Sequence, residues 1–151
     1  MTLILVFFAT KLHAVIVVAA VLAFLCAKRS EKLMLFKMSL LTLPLAFLVS
    51  RLLSALIYNP RPFMDEHAGQ LIAHAPDNGF PSDHALLVFT VAAIVYTQNK
   101  FIGSVLIGLG VLVGIGRVVA GVHHTIDVLG SVLIAFAATY IAVLILRRSI
   151  F

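Results

Sequence analysis

Residues 101–148 read FIGSVLIGLGVLVGIGRVVAGVHHTIDVLGSVLIAFAATYIAVLILRR, and this stretch decides the fold. Two long apolar runs flank a short polar connection. The first run carries one charge, Arg117, and the second carries Asp127 near its start and Arg147-Arg148 at its end. A bilayer core of roughly 30 Å takes about 20 apolar residues of helix, whereas barrel strands alternate apolar and polar positions. Neither run alternates, so the stretch predicts two membrane helices, about 101–119 and 125–146, joined by a loop at 120–125. Moving toward the N-terminus, Gln98-Asn99-Lys100 is a tight turn that closes a shorter span at about 82–98. Pro60, Pro62 and Pro81, among many polar residues, make 59–81 a loop. A span at about 33–58 precedes it, and another at about 3–27 ends at the charged turn Lys28-Arg29-Ser30-Glu31-Lys32. The expectation is an all-α polytopic transmembrane helical bundle of about five spans, with residues 1–151 as one membrane-embedded domain. Lys11 and His13 interrupt the first span, and a break at Lys11 would leave residues 1–10 in the membrane interface.

Composition agrees with that class. The chain has 151 residues, of which 62% are hydrophobic, and its mean hydropathy is +1.15. The N-terminus is apolar from residue 3, without a basic leading segment or a small-residue cleavage site, and is read as part of the membrane domain. The net charge of +5 does not form one soluble basic face, which argues against nucleic acid as a partner. Seven of the eleven cations (Lys28, Arg29, Lys32, Lys37, Lys100, Arg147, Arg148) fall at one set of span ends. By the positive-inside rule that face is cytoplasmic, and the loops at 59–81 and 120–125 face the other side. The single Cys26 cannot form an internal disulfide and is read as a small apolar residue in a span.

Three polar clusters gather at the two outer loops: Arg61-Pro62-Phe63, Phe80-Pro81-Ser82-Asp83-His84, and Arg117 with His123 and Asp127. Ionisable groups near membrane depth are costly and mark a site. His123 and Asp127 are four apart, so on a helix they lie one turn apart on one face. A carboxylate there can fix the imidazole tautomer, which leaves the other ring nitrogen as nucleophile or base. Arg61, held between two prolines, and Arg117, among Gly114, Gly116 and Gly121, offer planar donor forks that suit phosphate oxygens. Ser82 opens the third span, where unpaired helix N–H groups attract anions, and His84 beside it can deliver a proton to a leaving oxygen. Asp83 is read as a cap or as a partner for His84 or an arginine. Arg51, about two turns before the end of its span, needs a partner such as a phosphate or a carboxylate. The quieter readings are a structural His124, an interfacial and satisfied His13, and solvated loop positions for Asp65, Glu66, His67, His74 and Asp77, whose spacing matches no tight metal pattern.

In order, Arg61-Pro62, Pro81-Ser82-x-His84 and Arg117-x5-His123-x3-Asp127 resemble the three motifs of the type 2 phosphatidic acid phosphatase superfamily. Within it, 59–63 (Asn-Pro-Arg-Pro-Phe) and 77–84 (Asp-Asn-Gly-Phe-Pro-Ser-Asp-His) are similar to bacterial undecaprenyl pyrophosphate phosphatases associated with bacitracin resistance. The resemblance covers about residues 51–131. It implies that His123 attacks phosphorus, that Asp127 orients it, and that His84 protonates the leaving group and then activates water. It also implies phosphate binding by Arg61, Arg117 and Ser82, and no metal or other cofactor. The chain departs from the family pattern in three places. Ser54 stands where the first motif has Lys, with Arg51 as a substitute one turn earlier; Asp83 stands where Gly is common; Gly116 stands where Ser often precedes the Arg. Many members have six spans, which implies that a helix is missing or collapsed into residues 1–27 here.

The expected function is therefore hydrolysis of a membrane lipid phosphate, an isoprenoid or phospholipid one. The resemblance favours undecaprenyl pyrophosphate, with the site on the extracytoplasmic side of a bacterial cytoplasmic membrane. Rival readings are a phosphatase of phosphatidylglycerophosphate, phosphatidate or a lipid A phosphate, an anion-binding transporter or channel, and a non-catalytic binding protein.

Overall fold

The structure, a computed structural model, describes residues 2–64 and 69–148. Asp65, Glu66 and His67 lie outside the described residues. Among the described residues six helices follow in order: α1 (Thr2–Thr10), α2 (Leu12–Cys26), α3 (Arg29–Leu56), α4 (Asp83–Gln98), α5 (Lys100–Val119) and α6 (Thr125–Arg148). A short 3₁₀ turn spans Pro62–Met64. Among the described residues the only β pairing is an isolated antiparallel bridge between Pro60 and Asn78.

Helices α3, α5 and α6 are long and apolar enough to cross a membrane. The first expected span is two helices: the chain breaks at Lys11, and α1 and α2 meet at 50°. Counted as one bent crossing, they make a fourth span. Helix α4 has 16 residues, which is about 24 Å of helix and less than a bilayer core. It is the expected third span, as short as the sequence indicates, and forms a central post. Its place is central: Ala85, Val88 and Ala92 have no exposed surface, and α2, α3, α5 and α6 all pack against it.

The ends are set by ordinary capping. The Lys28 N–H donates to Glu31 Oε2 at 3.1 Å at the start of α3, and Asn99 Oδ1 accepts from the Ile102 N–H at 2.9 Å at the start of α5. At one end of the bundle a cavity brings together Gln98, Lys100 and Arg147, and a neighbouring one brings together Ala27, Glu31 and Asn99. The charged turns thus share one end, and the loops at 57–82 and 120–124 meet at the other, where the Leu71 N–H donates to Ala120 O at 3.0 Å.

Helix α1 runs onto the C-terminal half of α5. A Cβ on Gly116 would lie 2.8 Å from the Ala9 nitrogen and 2.9 Å from Phe8 Cβ, so the two backbones approach this closely only because residue 116 has no side chain. This gives a structural reason for Gly116 where the family often has Ser.

Candidate active site

His123 is the centre of the cluster. It lies in the connection between α5 and α6, two residues before the helix expected to carry it. Gly121, with φ +74°, makes the turn that brings it back over the end of α5. Its side chain is 2% exposed, that of Arg117 is 2% exposed and that of Asp127 is fully buried. His123 Nδ1 is 2.9 Å from Gly79 O and 3.4 Å from Asp127 Oδ2. Both are acceptors, so Nδ1 carries the hydrogen. His123 Nε2 is 3.1 Å from Arg61 Nη1 and 3.4 Å from Arg117 Nη2. Guanidinium nitrogens only donate, so Nε2 presents its lone pair to them. Burial pushes the His123 imidazole below its ordinary value; Asp127 pushes it up, and the charges of Arg61 and Arg117 push it down further. The neutral tautomer with a free Nε2 is therefore favoured at neutral pH.

Asp127 is locked by the way α6 begins. It sits three residues after His124, and its Oδ2 accepts the His124 N–H at 2.8 Å, the acidic half of a capping box. Its Oδ1 accepts from Asn59 Nδ2 at 2.7 Å. Ser131 Oγ donates to both Asp127 O (2.8 Å) and Ser82 O (2.9 Å), which ties the start of α4 to α6. Asn59 was not singled out as a site residue from the sequence, although it opens the motif segment at 59–63.

Arg61 is aimed by three partners. Its Nε donates to Asp77 Oδ1 at 2.6 Å, Nη1 to Val122 O at 2.8 Å, and Nη2 reaches Asn78 O at 3.5 Å. Burial raises the Asp77 carboxyl, but hydrogen bonding and charge from Arg61 outweigh this and hold it below the usual range. Asn78 pins the loop to the end of α3. It donates to Ser54 O and Ile57 O, both at 2.8 Å, and accepts from the Asn59 and Phe80 N–H groups. Ser54, the position where the family motif has Lys, thus anchors the loop. Arg117 Nη1 donates to Ala9 O at 3.3 Å; among the described residues its buried Nε has no partner, and neither has the buried Ser82 Oγ. Two uncommitted donors therefore lie close to His123 and Asp127, since the Ser82 N–H donates to Asp127 O at 3.3 Å.

The structure brings Arg61, Arg117, His123, Asp127 and Ser82 together, with His84 on the first turn of α4 alongside. Arg51 does not join them. It pairs with Asp83, stacks over Phe47 and is half-exposed. Asp83 thus serves an arginine, one of the roles expected for it. Two histidines enter that sequence reasoning placed elsewhere. His74, read as a solvated loop residue, sets its ring at 72° to that of His123 with centroids 6.3 Å apart, and burial lowers its basicity. His13, read as satisfied, has a buried Nδ1 with no partner among the described residues and packs edge-on against His84 at 4.6 Å. Among the described residues, no three His, Cys, Asp or Glu side chains form a metal-ligand group. The arrangement can hold a tetrahedral anion against a neutral imidazole nitrogen, between two guanidinium forks.

Comparison with known proteins agrees with this layout. The chain is 36% identical over 87 residues to undecaprenyl-diphosphatase BcrC of Bacillus subtilis (strain 168), a match that covers 58% of this chain and 45% of that protein. It is 32% identical over 129 residues to YbjG of Escherichia coli (strain K12), covering 85% of this chain and 65% of that one. The chain therefore spans about half to two-thirds of the length of these relatives. Among solved structures, LpxE of Aquifex aeolicus superposes with a TM-score of 0.68 at 26% identity, covering 89% of this chain and 86% of that one. A PAP2-type phosphatidylglycerolphosphate phosphatase from Bacillus subtilis superposes with a TM-score of 0.63 at 24% identity, covering 98% and 75%, a likeness of fold. Residues 38–151 match the PAP2 superfamily, and the chain belongs to that superfamily.

Proposed function

We propose that this protein is an integral-membrane phosphatase that hydrolyses undecaprenyl pyrophosphate to undecaprenyl phosphate and inorganic phosphate. One observation carries the reading: His123 Nε2 faces both Arg61 and Arg117, while Nδ1 is committed to Gly79 O and Asp127. A phosphoryl group held by the two guanidinium forks would meet the ring nitrogen that keeps its lone pair. Nε2 attacks the terminal phosphorus, the bond from that phosphorus to the bridging oxygen breaks, and His84 gives its proton to the departing undecaprenyl phosphate. Asp127, held by Asn59 and the His124 N–H, stabilises the charge that develops on the imidazole. Water then attacks the phosphohistidine, His84 takes the proton from that water, and inorganic phosphate leaves with His123 restored. Arg61, Arg117 and Ser82 supply the positive field and hydrogen bonds that this charge requires.

The similarity to BcrC supports the choice of lipid. The gathering of cationic turns at the opposite end of the bundle supports a site on the extracytoplasmic side. There the headgroup reaches the arginines while the isoprenoid tail stays in the bilayer. The test is phosphate release from undecaprenyl pyrophosphate by purified protein in detergent with EDTA, wild type beside His123→Ala. The proposal requires release by the wild type alone. Faster release from phosphatidylglycerophosphate, phosphatidate or a lipid A phosphate in a parallel panel would overturn the substrate assignment.

A further inference from the structure

His13 stands in the first turn of α2, outside the residues 38–151 that match the superfamily. Its ring meets that of His84 with centroids 4.6 Å apart and planes at 84°, an edge-to-face contact. Its Nδ1 is buried with no hydrogen-bond partner among the described residues. No bond to that nitrogen fixes the ring elsewhere, and its aromatic contact is with His84. The elbow between α1 and α2 produces this placement. Helix α1 stops at Thr10, the chain bends by 50°, and α2 begins at Leu12. The same elbow presents Ala9 O to Arg117 and seats the α1 backbone against Gly116. The N-terminal elbow therefore touches two members of the site at once.

We propose that His13 is a positioning residue: its ring closes one side of His84 and holds that imidazole toward the leaving-group oxygen. This rests on the reading of His84 as the proton donor. The other groups close enough to act electrostatically on His84 are Arg117 from α5, His123 from the α5–α6 connection and His74 from the 57–82 loop. Each has another engagement: Arg117 with Ala9 O and His123, His123 with Gly79 O and Asp127, His74 with Ala75 O. Asp83, next in sequence, is held by Arg51. Loss of the His13 ring leaves His84 free to turn on that side, and proton delivery slows while binding of the headgroup by the arginines does not.

The experiment compares wild type, His13→Ala, His13→Phe, His84→Ala and the double variant His13→Ala/His84→Ala, all as full chains in detergent. Two quantities are read: steady-state phosphate release, and the rate at which diethylpyrocarbonate modifies His84, mapped by mass spectrometry without substrate. His13→Ala should lower kcat about three- to tenfold, the range that an edge-to-face ring pair carries, with KM within about twofold. His84 modification should speed up by a similar factor. His13→Phe keeps the ring and loses the nitrogens, so both readouts should stay within about twofold of wild type. With His84 already replaced, removal of His13 should change the residual rate no further. The proposal is overturned by His13→Ala with unchanged kcat and unchanged His84 labelling, by His13→Phe as slow as His13→Ala, or by additive losses in the double variant. If wild type releases no phosphate, the proposed function fails, and the labelling rates still decide whether His13 shields His84.

Discussion

Replacement of Asn59 by Ala tests the part of the site that reaches furthest across the fold. Asn59 Nδ2 donates to Asp127 Oδ1 at 2.7 Å, a contact between the start of the loop after α3 and the start of α6. Asp127 is fully buried, so the freed oxygen has no route to bulk water without rearrangement. A hydrogen bond to a charged group is worth about 1.5–3 kcal/mol, and an orphaned buried acceptor bears most of that loss. The other oxygen stays with the His124 N–H and with His123 Nδ1, so the carboxylate keeps its place but is less able to offset positive charge on the ring. If the loss is felt where the imidazole becomes charged, kcat falls by about tenfold to about 150-fold, with KM little changed. Asn59→Asp should be worse than Asn59→Ala, because it sets a second carboxylate where the donor was. The assay is steady-state phosphate release in detergent, with gel filtration to show that each variant is a folded monodisperse species. A folded Asn59→Ala with kcat within twofold of wild type would refute the argument that the Asn59 bond matters to Asp127.

Gly116→Ser, which restores the residue common in the family, should lower thermal stability and activity here, because its Cβ would lie 2.8–3.0 Å from the Phe8–Ala9 backbone and Phe8 Cβ; a gain in either by melting or turnover would count against the α1–α5 crossing. Arg117→Lys should lose at least about tenfold in kcat/KM, since a point charge cannot span Ala9 O, His123 and a phosphoryl oxygen together. Near-normal phosphate release would contradict that. His123 and His74 both have lowered folded-state basicity, so the stability that their neutral forms contribute is present above the ordinary value of 6.5 and is lost as pH falls through the lower folded value. Melting temperature in detergent should therefore drop on acidification below about pH 6.5, and His123→Gln should flatten the drop; a pH-independent melting temperature would contradict it.

The bundle was legible where composition alone decides it. The runs at 33–58, 101–119 and 125–146 end within four residues of the ends of α3, α5 and α6, because lipid demands continuous apolar helix. Lys11 signalled a break, and the 50° bend falls there. Helix α4 was legible from its caps, its shortness included; its burial among four other helices is what no local pattern records. The spacing of His123 and Asp127 was readable as a pair, although the ring lies before the helix and is reached through the capping turn of α6. The amide partners were not readable. Asn59 and Asp127 are 68 residues apart, and Asn78 binds carbonyls 21 and 24 residues away, so their roles exist only once the loop has closed. His13 and His74 were hidden for the same reason. Arg51 showed the converse, since its charge in a span demanded a partner and the partner is Asp83.

The most direct test of the central claim is to find the covalent intermediate. Wild type and His123→Ala would be mixed with undecaprenyl pyrophosphate labelled in its terminal phosphate, quenched in alkali within milliseconds, digested and mapped by mass spectrometry. An acid-labile phosphate is expected on the peptide that carries His123, at the ring nitrogen opposite the Gly79 and Asp127 contacts, and none in the variant. Rapid turnover by wild type with no phosphate on His123 at any time point, or full turnover by His123→Ala, would contradict it.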